Sequence, residues 1–303
     1  MMTRMPEISR RAVLRLGGGA AAGALGAYAM DRLLSGRPPV ATPVVMTGTG
    51  IPLAPHPPLE PAPAPAAAPT MVTGSFVSAA RGGVATNWAI ARPPGQTKLL
   101  RPVIALHGKG SSAATVMEGG VEQGLAQAVA AGLPPFAVVA VDGGGSYWHK
   151  RASGEDSGAM VLNELIPMLN GQGLDTSRVG FLGWSMGGYA ALLLGGRLGA
   201  GRTAAICAVS PALWMSSGAA APGAFDGSDD FLANSVFGMP ALASIPVRVD
   251  CGNSDPFYNA TKQFVAQLPS PPAGGFSPGG HDASFWSAQL PAELTWMAPL
   301  LTV

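Results

Sequence analysis

The sequence predicts one α/β domain over residues 71–303, with a mostly parallel central sheet covered by helices on both faces. Short runs rich in Val, Ile and Ala alternate with longer helix-forming segments along this part of the chain. That alternation is typical of parallel strands joined by crossover helices. Because ligand sites in such sheets lie at the carboxyl ends of the strands, functional residues are expected in the loops that follow them.

The apolar runs predict seven strands, and the first two are expected at an edge of the sheet. The strands are residues 71–78, 85–91, 102–106, 136–142, 179–182, 204–209 and 245–251. The predicted helices are residues 118–131, residues 157–169, a helix around 189–194, residues 256–268 and a closing helix after residue 283.

Residues 1–29 have the features of a twin-arginine signal peptide. Arg10 and Arg11 precede an uncharged run from Leu16 to Met30, and Ala29 ends a small-residue segment where cleavage is expected. These features predict a secreted or cell-envelope protein, exported in folded form. The run of 15 residues is shorter than the roughly 20 residues that span a bilayer. Retention as an anchor remains the alternative to cleavage.

Residues 30–70 are expected to form a proline-rich, disordered linker. Eleven prolines and almost no charge occur between Gly36 and Pro69, a composition that stays extended and builds no packed core. Two interpretations are open, a tether across a cell-envelope layer and a plain disordered tail.

Charge, cysteine placement and residue spacing limit which partners, disulfides and metal sites are expected. Without residues 1–29 the net charge falls from +1 to −2, which argues against nucleic acid as a partner. Cys207 and Cys251 lie in predicted neighbouring strands, where two buried thiols are favoured over a disulfide because strand geometry seldom suits the bond. No paired His or Cys spacing suggests a metal site, and no cofactor is expected.

The pentad Gly-Trp-Ser-Met-Gly at residues 183–187 stands between an apolar run and a helix-forming run. A G-x-S-x-G pentad at a sharp turn from strand to helix is the nucleophile elbow, which raises a serine hydroxyl above the carboxyl edge of the sheet. A second match at residues 275–279 fails, because Pro278 has no N–H to donate to an oxyanion and no helix-forming run follows. The pattern therefore predicts Ser185 as the nucleophile.

An acid and a histidine must follow such a serine, in that order. His281 is the one histidine after Ser185, and Asp255 lies just past a predicted strand, whereas Asp250 lies inside it. Each residue alone has a structural explanation, as a helix cap, a turn residue or a loop residue. The agreement of residue type, order and placement favours a Ser185–His281–Asp255 triad.

The oxyanion of an acyl-transfer reaction needs two positioned N–H donors. Met186 N–H is expected to be the first, at the start of the helix. Lys109 N–H is expected to be the second, in the glycine-containing loop after residues 102–106. His107 in the same loop is interpreted as a residue that shapes the loop through bonds to backbone.

Five sequence blocks together resemble the putative esterase branch of the α/β-hydrolases, which includes esterase D-like enzymes and secreted mycolyltransferases. The blocks are HGKGSS at residues 107–112, DGGGSYW at 142–148, GWSMGG at 183–188, CGNSDPFY at 251–258 and GHD at 280–282. The resemblance spans about 180 residues and implies the α/β-hydrolase fold, with Ser185, Asp255 and His281 as the matching triad. Mycolyltransferases usually have a glutamate where Asp255 stands and more tryptophan around the histidine, which favours a general esterase or lipase.

The resulting hypothesis is an exported serine esterase or lipase that acts on short-to-medium acyl esters or lipids. The alternatives are an envelope acyltransferase of the same mechanism, transferring to a sugar or glycerol hydroxyl, and a non-catalytic binding protein on a hydrolase scaffold. The substrate pocket is expected to include Trp184, Tyr147, Trp148 and Trp214. The apolar residues between Ser210 and Ser244 either hold an acyl chain or cover the sheet as ordinary core.

Overall fold

The computed structural model describes residues 70–302. The predicted signal peptide, and the predicted linker up to residue 69, lie outside the described residues. The described chain contains an eight-stranded sheet with helices against it. Its strands are β1 Met71–Ser78, β2 Val84–Ala91, β3 Pro102–Leu106, β4 Ala137–Val141, β5 Val179–Trp184, β6 Thr203–Val209, β7 Val247–Gly252 and β8 Ala273–Ser277.

The strands lie in the order β1-β2-β4-β3-β5-β6-β7-β8. β2 pairs antiparallel with β1 and with β4, and the remaining neighbours are parallel. Alternate residues of the buried strands face opposite apolar layers: in β3, Ile104 and Leu106 face one cluster while Val103 and Ala105 face the other. The sheet is therefore covered on both faces, which confirms the predicted fold class.

The connections between strands are mostly helical. The α-helices are α1 Ala113–Glu118, α2 Val121–Ala130, α3 Ser157–Ala159, α4 Ile166–Leu169, α5 Met186–Leu198, α6 Ser228–Ala233, α7 Tyr258–Gln267 and α8 Ala283–Met297. A π-helical segment, Met160–Leu165, joins α3 to α4. Within residues 70–302, no helix has both the length and the apolar composition needed to cross a bilayer.

The helix predicted at residues 118–131 corresponds to α2, and the short helix before it, α1, was not predicted. Gly119 ends α1, and Gly120 has a φ of 95°, a left-handed conformation that glycine adopts without steric cost. α1 begins at Ala113, where the Ser112 side chain caps it by accepting a hydrogen bond from Thr115 N–H. This break places α1 beside the loop that follows β3.

The edge strand β8 was not predicted, because its sequence Ala-Gly-Gly-Phe-Ser lacks the apolar run typical of a strand. It contains the serine of the second pentad. Ser277 is the last residue of β8, and its carbonyl accepts a hydrogen bond from Asn253 N–H. A loop, not a helix, follows it, so this serine has no elbow geometry.

Both cysteines are free and buried, as the sequence predicts. Cys207 stands opposite Arg248 in the register of β6 and β7, whereas Cys251 lies three residues further along β7. Burial raises the pKa of both thiols, for Cys251 to about 12. They are therefore protonated packing residues at neutral pH.

Candidate active site

Ser185 stands between β5 and α5 in a strained backbone conformation. Its φ is 56° and its ψ is −118°, which L-residues rarely adopt. Two hydrogen bonds fix the turn: Ser185 N–H donates to Val209 O at 3.0 Å, and Ala212 N–H donates to Ser185 O at 2.9 Å. The loop after β6 therefore holds the serine at the carboxyl edge of the sheet.

The glycines of the pentad are required by close backbone contacts. A Cβ atom added to Gly183 would lie 2.2 Å from Gly187 O, and one added to Gly187 would lie 1.8 Å from Leu106 O. At Gly188, the same atom would lie 2.8 Å from Val209 O. α5 can thus approach β3 and β5 only where side chains are absent.

We expect Gly187→Ala to destabilise the fold by at least about 3 kcal/mol, since overpacking against backbone is not relieved by a rotamer change. Gly201→Ala is the matched control, because a Cβ atom there meets nothing within 4 Å. Thermal unfolding of both variants provides the measurement. Equal stability of the two variants would contradict the assigned role of Gly187.

The structure brings Ser185, His281 and Asp255 together in a hydrogen-bonded chain. His281 Nε2 lies 2.8 Å from Ser185 Oγ, and His281 Nδ1 lies 2.8 Å from Asp255 Oδ2. If Nδ1 carries the proton and donates it to Asp255, Nε2 is free to accept the hydroxyl proton of Ser185. The three residues come from three separate loops, after β5, β7 and β8.

Asp255 is buried in the loop after β7. Burial favours its neutral form, but hydrogen bonds from His281 and from Phe257 N–H outweigh that effect, so the pKa of Asp255 is below its usual value. The carboxylate is therefore ionised at neutral pH and can orient His281. Asp250 lies inside β7 and instead binds Arg248, with Arg248 Nε 2.6 Å from its carboxylate.

His281 lies between two aromatic rings. Phe257 and Trp286 contact the imidazole edge-on, with ring centroids 5.1 Å and 5.3 Å away. The next residue, Asp282, caps α8 by accepting hydrogen bonds from Ser284 and Phe285 N–H groups. The histidine is thus positioned by the start of a 15-residue helix as well as by Asp255.

The two predicted oxyanion donors belong to segments that border the nucleophile. Met186 is the first residue of α5, so its N–H has no acceptor within the helix. Lys109 lies in the loop after β3 and lines the same pocket as Ser185. A Cβ atom added to its neighbour Gly108 would lie 3.6 Å from Ser185 Cβ, so this loop borders the serine closely.

His107 holds this loop through both ring nitrogens. Gly143 N–H donates to His107 Nε2 at 2.9 Å, which leaves Nδ1 to donate to Gly108 O at 2.7 Å. Burial lowers the pKa of His107, which matches a neutral imidazole in this role. Asp142 supports the same region, because its carboxylate accepts from Ala113 N–H at 2.8 Å.

A pocket of about 280 Å³ opens beside the nucleophile, between α1 and α8. Trp184 lines it, as predicted, next to Ser185 and His281. The two walls of the pocket were not predicted. One is formed by α1 and the residues next to it, Ser111, Thr115, Val116 and Gly119, and the other by α8, with Ala283, Trp286, Ser287 and Leu290. The GHD block followed by aromatic and apolar residues was the only signal for the second wall.

Trp148 was wrongly predicted as a pocket residue. Its side chain is fully buried, and its ring would meet a Cβ atom at Gly143 at 2.3 Å. Trp148 Nε1 also donates to His107 O at 3.4 Å. The side chain packs beneath the loop of His107 and supports it.

Tyr147 and Trp214 were also predicted as pocket residues, but neither of them lines the pocket. Their rings are 5.7 Å apart, Trp214 also contacts Phe257 at 5.4 Å, and Lys109 Nζ lies 5.7 Å from the Tyr147 ring. The aromatic residues around them are closely packed, with a gap of only about 10 Å³ between Tyr189, Trp214, Phe225, Phe231 and Phe237. Most apolar residues between Ser210 and Ser244 therefore cover the sheet as core, whereas Met215 and Leu232 are exposed.

One cluster of side chains that commonly bind metals comes together within residues 70–302. Cys207, Asp250 and Glu293 place a ligand atom each within 4.8 Å of one another, beneath α8. Arg248 already neutralises Asp250 with two hydrogen bonds, and the cluster is fully buried away from the triad. We assign no metal to it.

No protein-family model and no curated protein matches this sequence. Solved structures do match: a ferulic acid esterase aligns with a TM-score of 0.65 at 20% identity, covering 76% of this chain and 98% of that one. An S-formylglutathione hydrolase from Staphylococcus aureus aligns with a TM-score of 0.59 at 17% identity, covering 75% and 98%. Another from Agrobacterium tumefaciens has a TM-score of 0.59 at 18% identity, covering 76% and 95%.

At these low sequence identities, the matches show that the backbone folds are similar and nothing further. They agree with the strand order, the two covered faces of the sheet and the sharp turn from β5 into α5. The chain has the α/β-hydrolase fold.

Proposed function

We propose that this protein is a serine carboxylic-ester hydrolase that works through an acyl-enzyme. The observation that carries the proposal is the hydrogen-bonded chain from Ser185 Oγ through His281 to Asp255, with both distances 2.8 Å. A serine in a strained elbow, a histidine on its hydroxyl and an ionised aspartate on the histidine are the parts that nucleophilic acyl transfer requires.

The proposed reaction has two halves. Ser185 Oγ attacks the ester carbonyl while His281 takes its proton, and the C–O bond to the alcohol then breaks as His281 returns that proton to the leaving oxygen. Water, deprotonated by His281, next attacks the acyl carbon. The bond from this carbon to Ser185 Oγ then breaks as His281 returns the proton to Ser185 Oγ, which releases the acid and restores the serine. Asp255 stabilises the imidazolium that forms in each half.

The negative oxygen of both tetrahedral intermediates would be bound by Met186 N–H and Lys109 N–H. We expect Lys109→Pro, which removes this N–H, to lower kcat by about 100- to 1000-fold. Lys109→Ala is the control, because it removes the exposed side chain and keeps the N–H. Thermal unfolding of both variants checks that the fold is kept. Equal losses in the two variants would instead place the effect in the side chain.

The names of the structural neighbours support ester chemistry in this fold, since they include a ferulic acid esterase and S-formylglutathione hydrolases. The pocket beside Ser185 is lined largely by apolar groups, which favours esters with an uncharged acyl part. The twin-arginine features of residues 1–29 favour action outside the cytoplasm, on extracellular or envelope-associated esters.

The proposal is tested with the purified protein and a series of p-nitrophenyl esters. We expect release of p-nitrophenol and an acyl group on Ser185, detected by mass spectrometry after rapid acid quenching. Trehalose and glycerol in the same assay separate hydrolysis from acyl transfer, because a transferase yields a new ester. An absence of turnover and of acylation across the series would overturn the proposal.

A further inference from the structure

A pocket of about 280 Å³ between α1 and α8 reaches the nucleophile directly, because Ser185 and His281 both line it. The gap among the aromatic residues around Trp214 and Phe225 is only about 10 Å³, and neither Ser185 nor His281 lines it. The pocket between α1 and α8 is therefore the space in which part of a substrate could lie next to Ser185.

The lining of this pocket indicates which part of an ester it holds. Val116, Trp184 and Leu290 are buried and apolar, and the one charged side chain on the rim, Lys109, is exposed. The acyl part stays on the enzyme through both halves of the proposed reaction, whereas the alcohol must leave after the first. Burial of the acyl part therefore stabilises both intermediates without slowing release of the alcohol.

We propose that the pocket between α1 and α8 is the acyl site, and that Leu290 and Ser287 set the largest acyl group it accepts. The inference rests on the proposed function and narrows the substrate class to esters of short-to-medium or single-ring acids. A volume of about 280 Å³ is just below the range of roughly 300–1000 Å³ typical of drug-sized ligand sites. Long fatty acyl chains exceed it.

α8 links the size of this site to the catalytic histidine. The helix begins directly after Asp282, the neighbour of His281, and Trp286 contacts the His281 ring while lining the pocket. Leu290 follows one turn later on the same wall. The helix that limits the size of the acyl group, α8, therefore also positions His281.

The test uses two substrate series. In the first, the alcohol is p-nitrophenol and the acyl group runs from acetate through butyrate and hexanoate to octanoate. In the second, the acyl group is acetate and the alcohol is lengthened from methanol to hexanol. The variants are Leu290→Ala, which enlarges the pocket, and Ser287→Phe, which narrows it. Ser287 is exposed, so the larger side chain can be introduced without disturbing the core. Ala288→Phe is the control, being exposed on the same helix outside the pocket.

We expect Leu290→Ala to raise kcat/KM for long acyl groups relative to acetate, by about fourfold for each further methylene buried. Ser287→Phe should lower the octanoate-to-acetate ratio by more than about tenfold, the equivalent of two methylenes. Neither variant should change the profile of the alcohol series, and Ala288→Phe should change neither profile.

Three results would overturn the inference. Normal ester turnover with an unchanged acyl profile in both pocket variants would overturn the acyl-site assignment and leave the proposed function standing. A change confined to the alcohol series would do the same. An absence of turnover of any ester by the wild-type protein would overturn the proposed function as well. Leu290 also packs in the core, so Ser287→Phe keeps the test valid if Leu290→Ala fails to fold.

Discussion

Ser185→Ala is expected to lower kcat/KM for p-nitrophenyl esters by about 10⁶-fold while the protein stays folded. The hydroxyl is the atom that forms the acyl-enzyme, and neither His281 nor Asp255 can replace it. Residual activity should come from the oxyanion donors and substrate binding alone. Ester hydrolysis and thermal unfolding are the measurements.

Ser277→Ala is the matched control, because Ser277 belongs to the second G-x-S-x-G match and lies at the end of β8. We expect it to leave kcat/KM close to the wild-type value. Loss of activity in this variant with retained activity in Ser185→Ala would overturn the assignment of the nucleophile.

The triad also predicts how the losses of activity from single substitutions combine in a double variant. His281→Ala should cost about as much as Ser185→Ala, and the double variant should lose little more, because the two groups act as one unit. Asp255→Asn should cost about 10⁴-fold, since it leaves His281 in place but removes the charge that orients it. Additive losses in the double variant would contradict a shared proton path.

The triad could be predicted because each of its residues has a signal in the sequence. The elbow needs glycines at fixed spacing around Ser185, Asp255 follows a predicted strand, and His281 is the one histidine after Ser185. The alternation of strand-forming and helix-forming segments predicted the fold class in the same way. The glycine-rich β8 was missed because its pairing with β7 is not local in sequence, and α1 was missed because it is only six residues long.

The pocket could not be predicted, because its walls come from segments about 170 residues apart in sequence, α1 and α8. Aromatic residues near strand ends suggested Trp148 and Trp214 instead. Residue type does not distinguish a ring that lines a pocket from one that supports a loop. Trp148, fully buried against Gly143, is the second kind.

Glu293 is a further residue that could not be interpreted from the sequence, because its protonation depends on neighbours that are distant along the chain. It lies on α8, fully buried, and neither carboxylate oxygen has a hydrogen-bond partner. The charged or titratable groups that face it are Cys207 on β6 and Arg248 and Asp250 on β7. Burial, reinforced by the Asp250 carboxylate and opposed by Arg248, raises the pKa of Glu293 well above its usual value.

This raised pKa predicts how stability depends on pH. The unfolded chain loses the Glu293 proton near pH 4.5, whereas the raised pKa lets the folded protein keep it to higher pH. The contribution to stability is therefore complete below the unfolded pKa and is lost as pH rises toward the folded pKa. One such proton lowers the free energy of unfolding by about 1.4 kcal/mol per pH unit in this window.

Glu293→Gln should remove this dependence, because a neutral amide of similar shape needs no proton to be buried. As the pH rises above the ordinary glutamate pKa, the wild-type protein should lose stability relative to the variant, by about 1.4 kcal/mol per pH unit until the folded pKa is reached. Urea unfolding at several pH values measures the two slopes, and Glu122→Gln, at an exposed position of α2, is the control that should keep the wild-type slope. Parallel curves for wild type and Glu293→Gln would mean that Glu293 is ionised in the folded protein. Since the residue is buried without a hydrogen-bond partner, that result would require Arg248 or water to reach its carboxylate.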